Sequence, residues 1–133
     1  MKWRRRLAIA AIVTVCLAGF CKPAVIRTDR DTRLAVFFRW QSGDIQFINS
    51  VTGRPVSIGF HIGRRFQAFS VLTDENTEAY YTNGTYDMNT RAAQESTDQL
   101  RFCSVKGIAL RLGFYTYSIK DGCLEVTLLW TLW

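Results

Sequence analysis

His61 is the one histidine in a chain of 133 residues, so any imidazole chemistry has to run through it. It ends the alternating stretch Asp44 to Ile62, DIQFINSVTGRPVSIGFHI, where a period of two puts it on the face of Ser57 and Gly59, opposite Phe60 and Ile62 and toward solvent. A Ser-His-acid relay is defined by geometry, and no strained GxSxG elbow nominates a nucleophile. The reading is a surface histidine, with a small hydrolase as its rival. The acidic run Asp74-Glu75-Asn76-Thr77-Glu78 offers hard oxygen ligands but lacks the spacing of a calcium loop, and reads as a solvated loop. Cys103 and Cys123 are too few for a metal site with a single His and no C-x-x-C, so they read as a disulfide, with thiol-redox chemistry as the alternative. No catalytic residue, cofactor or metal is assigned.

The tyrosines are the remaining chemical resource. Tyr80, Tyr81, Tyr86, Tyr115 and Tyr117 are amphipathic and suit a recognition surface for protein or glycan, although strand tyrosines also cover half-exposed sheet faces.

Those residues must be positioned by a domain whose compartment is written at the N-terminus. The net charge of +6 is concentrated there: Lys2, Arg4, Arg5, Arg6 and Lys22 precede every carboxylate, and from residue 27 onward twelve cations face eleven anions. A phosphate-tracking surface needs clustered, unopposed cations, so nucleic acid is excluded as a partner. MKWRRR followed by an apolar run of fifteen residues, Leu7 to Cys21, is an export signal, stopped by Lys22-Pro23. Fifteen is short of the roughly 20 residues that span a bilayer. Two outcomes stay open, an uncleaved anchor contacting the membrane through residues 7 to 21, or cleavage after Ala18 with Cys16 and Ala18 at the small-residue positions. Either places the remainder in the periplasm or at the cell surface.

The expected organisation is a signal or anchor with its flank at 1–26, a charged linker at 27–33 (RTDRDTR) and a single exported β domain at 34–133. Alternation predicts four consecutive antiparallel strands, with Leu34, Val36, Phe38 and Trp40 on one face of the first, Ile45, Phe47 and Asn49 on the second, Val56 to Ile62 on the third, and Phe66, Ala68, Ser70 and Leu72 on the fourth. Asn83-Gly84 and Asp121-Gly122 each predict a tight hairpin. Residues 89 to 100 are the one helical interval after the signal, one to three turns of surface helix or an ordered loop, and three further strand stretches close the chain. The fold class is all-β, an antiparallel sandwich or small barrel of about 7–9 short strands with at most one short surface helix. An outer-membrane barrel is disfavoured by short, polar strands.

Within the opening stretch, Gly53 suits a tight turn and Pro55 a strand start, but Asn49 and Ser50 need another account. GDIQFINSVTGRPV resembles a segment of a family of small exported proteins of unknown function whose genes accompany TRAP-type (tripartite ATP-independent periplasmic) transporters, with Ser50, Val51, Pro55 and Val56 at the matching spacing. Asn49 stands where that family has His, and its later Gly-Ala-Gly-Leu-Pro stretch has no counterpart. The resemblance implies a transporter accessory protein.

The function expected is therefore an exported, membrane-tethered or released binding domain with a protein partner in or at the membrane. Asn49, Ser50, Arg54, His61, Tyr80, Tyr81 and Tyr86 are the candidate binding surface. A small extracytoplasmic enzyme and a glycan-binding module are the alternatives, and exposed edge strands allow self-association.

Overall fold

The computed structural model describes residues 1–83 and 88–132. In chain order it has α1 (Lys2–Phe20), β1 (Cys21–Thr28), β2 (Thr32–Phe38), β3 (Ser42–Ile48), β4 (Pro55–Ile62), β5 (Phe66–Leu72), α2 (Glu75–Thr82), α3 (Met88–Ala92), β6 (Ser96–Thr97), β7 (Gln99–Ser104), β8 (Ile108–Leu112), β9 (Tyr115–Ile119) and β10 (Gly122–Leu128).

Alternation makes the strands, and two antiparallel sheets sort them. One sheet runs β2-β1-β10-β7 and the other β6-β5-β4-β3-β8-β9. Ala24, Ile26, Phe37, Leu124 and Val126 from the first share one core cluster with Ile45, Phe60, Ile62, Phe66 and Leu110 from the second. The fold is mixed and β-rich, with two short helices after α1, rather than all-β with at most one.

Several expectations are corrected. Residues 21 to 28, read as flank and linker, form a strand paired on both sides, to β2 and β10, with Lys22, Ala24 and Ile26 buried. The first of the four expected consecutive strands, β2, pairs with β1 and leaves β3, β4 and β5 to run together in the other sheet. Asp121-Gly122 makes no hairpin, because β9 and β10 lie in different sheets. It is a crossover, and the true hairpin joins β8 to β9 at Gly113.

Asn83 ends a helix instead of turning a hairpin. It takes φ 51° and ψ 27° as the C-cap of α2. The left-handed conformation that Asn-Gly supplies to a hairpin serves a helix end equally well, and Glu75 and Glu78 in the first turn favour the helix through its dipole. Tyr80 and Tyr81 are therefore helical, and the acidic run is a helix start. The other half of that expected hairpin, Gly84 to Asp87, lies outside the described residues. Of the interval 89–100, read as one to three helical turns or an ordered loop, a single turn is helical, α3, after which the chain returns to strand.

Among the described residues no helix is long and apolar enough to cross a membrane. In α1 the cations Lys2, Arg4, Arg5 and Arg6 occupy the start, yet the remainder is apolar on every side and none of its residues is buried.

Candidate functional site

β5 carries one extra residue relative to β4, since Gly59 pairs with Ser70 while His61 pairs with Gln67. Ala68 absorbs that bulge at φ 54°. The consequence is a change of face: strict alternation from Phe66 would turn Ala68 and Ser70 inward, whereas the bulge brings in Phe69 and Val71. The two sheets separate at this end, where β7 edges one and β5 with the two-residue β6 edges the other. Between them opens a cleft of about 500 Å³, within the range of small-molecule and peptide sites.

Its floor is Ile58, Phe69, Val71, Leu100 and Phe102. Its rim is charged, with Arg91 and Glu95 paired at 4.0 Å on the α3 side and Arg101 on β7. The Asn89 side-chain oxygen accepts the Val71 N–H at 2.6 Å, occupying one edge donor of β5. An apolar floor with a polar rim is suited to holding an extended amphipathic segment. Sequence reasoning missed this site because the bulge that builds it leaves no Gly or Pro mark on β5.

The residues nominated from sequence fall into separate places. Asn49 is buried and organises the β3–β4 turn: its Oδ1 accepts the Val51 and Thr52 N–H groups at 2.8 and 2.9 Å. Its amide donates to Tyr81 Oη at 2.7 Å, and Thr52 and Thr77 hydroxyls meet at 2.8 Å, so α2 is clasped to this turn. Thr77 also donates to Asp74. The Tyr80 and Tyr81 rings lie 5.5 Å apart, and Ser50 and Arg54 are exposed on the same turn. Tyr86 lies outside the described residues. Tyr115 sits edge-on to Phe37 on β9, so the tyrosines do not form one surface.

His61 is exposed at the opposite end of β4. It pairs in register with Ser42, whose hydroxyl lies 2.9 Å from Nδ1. A hydroxyl beside an imidazole is the first contact a hydrolytic relay needs. Asp44, two residues along β3, is instead held by Arg111 through two 3.1 Å bonds, so it does not orient the ring. Among the described residues no group of three or more His, Cys, Asp or Glu is placed to hold a metal. Cys103 and Cys123 are disulfide-bonded directly across β7 and β10, with Cα atoms 4.0 Å apart and Cys103 exposed on the outer face.

Lys22 is a second feature that composition concealed. It lies on the core face of β1 with no exposed surface, its Nζ donating to the carbonyls of Arg64 at 3.2 Å and Trp130 at 3.5 Å. Burial, and then the nearby charges of Arg39 and Arg64, hold its amine below the usual lysine range. Arg64 Nε in turn donates to Thr131 O at 2.7 Å. The alternation Lys22, Ala24, Ile26 was the available signal.

Compared with known proteins, the chain matches no family model, no curated protein and no solved structure.

Proposed function

We propose that this is an exported, membrane-tethered domain that works by binding a membrane-associated protein, not by catalysis. The observation that carries the reading is α1: apolar on all sides after its basic start, with none of its side chains buried against the domain. A helix of that kind is stable only in an apolar surrounding. Its address is a membrane on the export route, where an exposed disulfide persists. The two sheets are read as the layers of a β-sandwich around their shared core.

The partner site is the cleft between β5 and β7, where β7, the end strand of its sheet, accepts an extended segment by strand addition. Tethering raises the local concentration of such a partner without demanding high intrinsic affinity. The resemblance of the segment around Ser50, Val51, Pro55 and Val56 to the transporter-linked family suggests a transporter subunit in that role.

A photo-crosslinker at Glu95, on the rim, should trap one defined membrane protein in intact cells, while the same group at Arg111, on β8 and outside the cleft, should not. Trapping none, or recovering the chain from the cytosol with Cys103 and Cys123 as free thiols, overturns the proposal. The contact of Ser42 with His61 favours a hydrolase as the second reading. That reading requires Ser42→Ala and His61→Ala each to abolish a hydrolytic activity while the fold survives.

A further inference from the structure

Strand β2 is turned against its own hydrophobicity. Its core face carries Ala35 and Phe37, while Leu34 and Val36 face outward at 79% and 45% exposure. In register with Val36 and Leu34 on that outer face lie Pro23 and Val25 of β1, and Leu129, beyond β10, is exposed nearby, its N–H bonded to Pro23 O. At the far end the same face carries the Arg27–Glu125 pair and the disulfide. The outer face is thus apolar near the α1 junction and polar away from it.

The junction has a built collar. Phe20, the last residue of α1, packs its ring against Phe38 at 5.4 Å and Trp40 at 5.6 Å. Trp40 is 71% exposed and adopts φ 70°, a conformation costing a side-chain-bearing residue roughly 1–2 kcal/mol and rare for bulky ones. The fold holds it there through the Trp40 N–H to Ile62 O bond at 2.7 Å. Beside it stands Arg39, whose guanidinium lies 5.6 Å from the Trp40 ring, and two residues beyond Ile62, the partner of the Trp40 N–H, comes Arg64, whose charge reaches Lys22 as that of Arg39 does; among the described residues no carboxylate pairs with either arginine.

We infer that this collar, Trp40 with Arg39 and Arg64 beside the outward face of Leu34 and Val36, is a bilayer-contact surface that seats the domain on the phosphate headgroups of anionic phospholipid. Exposed tryptophan and arginine around apolar surface is the composition of a membrane interface, and the surface is continuous with α1. The inference rests on the membrane address proposed above, and supplies what α1 lacks. The apolar part of α1, Leu7 to Phe20, is about 21 Å long, against about 30 Å of hydrocarbon. Drawing the collar into the interface shortens that mismatch.

The test uses the full chain with vesicles of phosphatidylcholine, alone or mixed with phosphatidylglycerol, and lipids brominated near the headgroup as tryptophan quenchers. Wild type should be quenched more in the mixed vesicles. Trp40→Asn should lose most of the difference while melting no lower than wild type, because Asn tolerates the left-handed conformation. Arg64→Gln should weaken the preference for anionic vesicles about fivefold. If the chain sediments with both vesicle types but neither variant changes quenching or preference, the collar is refuted and the membrane address stands. If wild type sediments with neither, both fall.

Discussion

Asn49 donates from its amide to Tyr81 Oη at 2.7 Å, and that bond fastens α2 to the β3–β4 turn. Because Asn49 also receives the Val51 and Thr52 N–H groups while buried, its loss strands several partners at once. Asn49→Ala should cost about 1–3 kcal/mol, and Tyr81→Phe, which removes one bond, about 0.5–1.5 kcal/mol. Urea denaturation of both variants checks the order. Equal costs would mean that the turn does not depend on Asn49 Oδ1.

Removing the disulfide should weaken the domain without dissolving it. Closing a loop of sequence separation 20 stabilises by roughly 3 kcal/mol in the chain-entropy account. The β7–β10 ladder extends from Gly122–Ser104 to Thr127–Gln99 and holds the strands independently. The double variant Cys103→Ser, Cys123→Ser should therefore keep its far-ultraviolet circular dichroism and lose up to that stability in urea titration. Reduction of the native protein should do the same without prior unfolding, because Cys103 is exposed. A requirement for denaturant before reduction would contradict that access.

The strands were legible because a period of two is local, and β4 lies where alternation put it. What was not legible depended on partners distant in sequence. Asn83-Gly84 and Asp121-Gly122 announce positive φ, but a helix cap and a crossover use it as readily as a hairpin does. The period divides Leu34, Val36 and Phe38 from Ala35 and Phe37 without saying which set faces in, and the smaller set is the core. Asn49, a recognition candidate from its sequence context, also holds a turn, which its sequence does not announce. The cleft needed the β5 bulge, whose extra residue is an unremarkable Ala68.

Lys22 should give stability an alkaline signature. Its folded pKa is lowered by burial first and by Arg39 and Arg64 next, so between that value and the ordinary one the unfolded chain binds more protons. Stability then rises with pH across that window. Below the folded pKa both states are charged and the cost is carried in full; above the ordinary lysine value neither is charged and it is gone. Urea titrations of wild type and Lys22→Met at stepped alkaline pH should show the difference moving in favour of wild type as pH climbs. A difference that stays flat would mean the amine is as well solvated by its two carbonyls as by water.

Gly53 and Gly122 separate backbone preference from collision. Both have positive φ, 68° and 97°. A methyl group on Gly53 would meet nothing within 4 Å, whereas on Gly122 it would collide with Asp29 Oδ2. That carboxylate accepts the Cys123 N–H at 3.0 Å, so it cannot swing away without releasing the start of β10 beside the disulfide. Gly53→Ala should cost about 1 kcal/mol from conformation alone. Gly122→Ala should cost more, and pairing it with Asp29→Ala should recover the steric part while leaving the conformational part and the lost hydrogen bond. Urea titration of the three variants tests this, and equal destabilisation by the two single glycine substitutions would show that Asp29 does not set the close approach at Gly122.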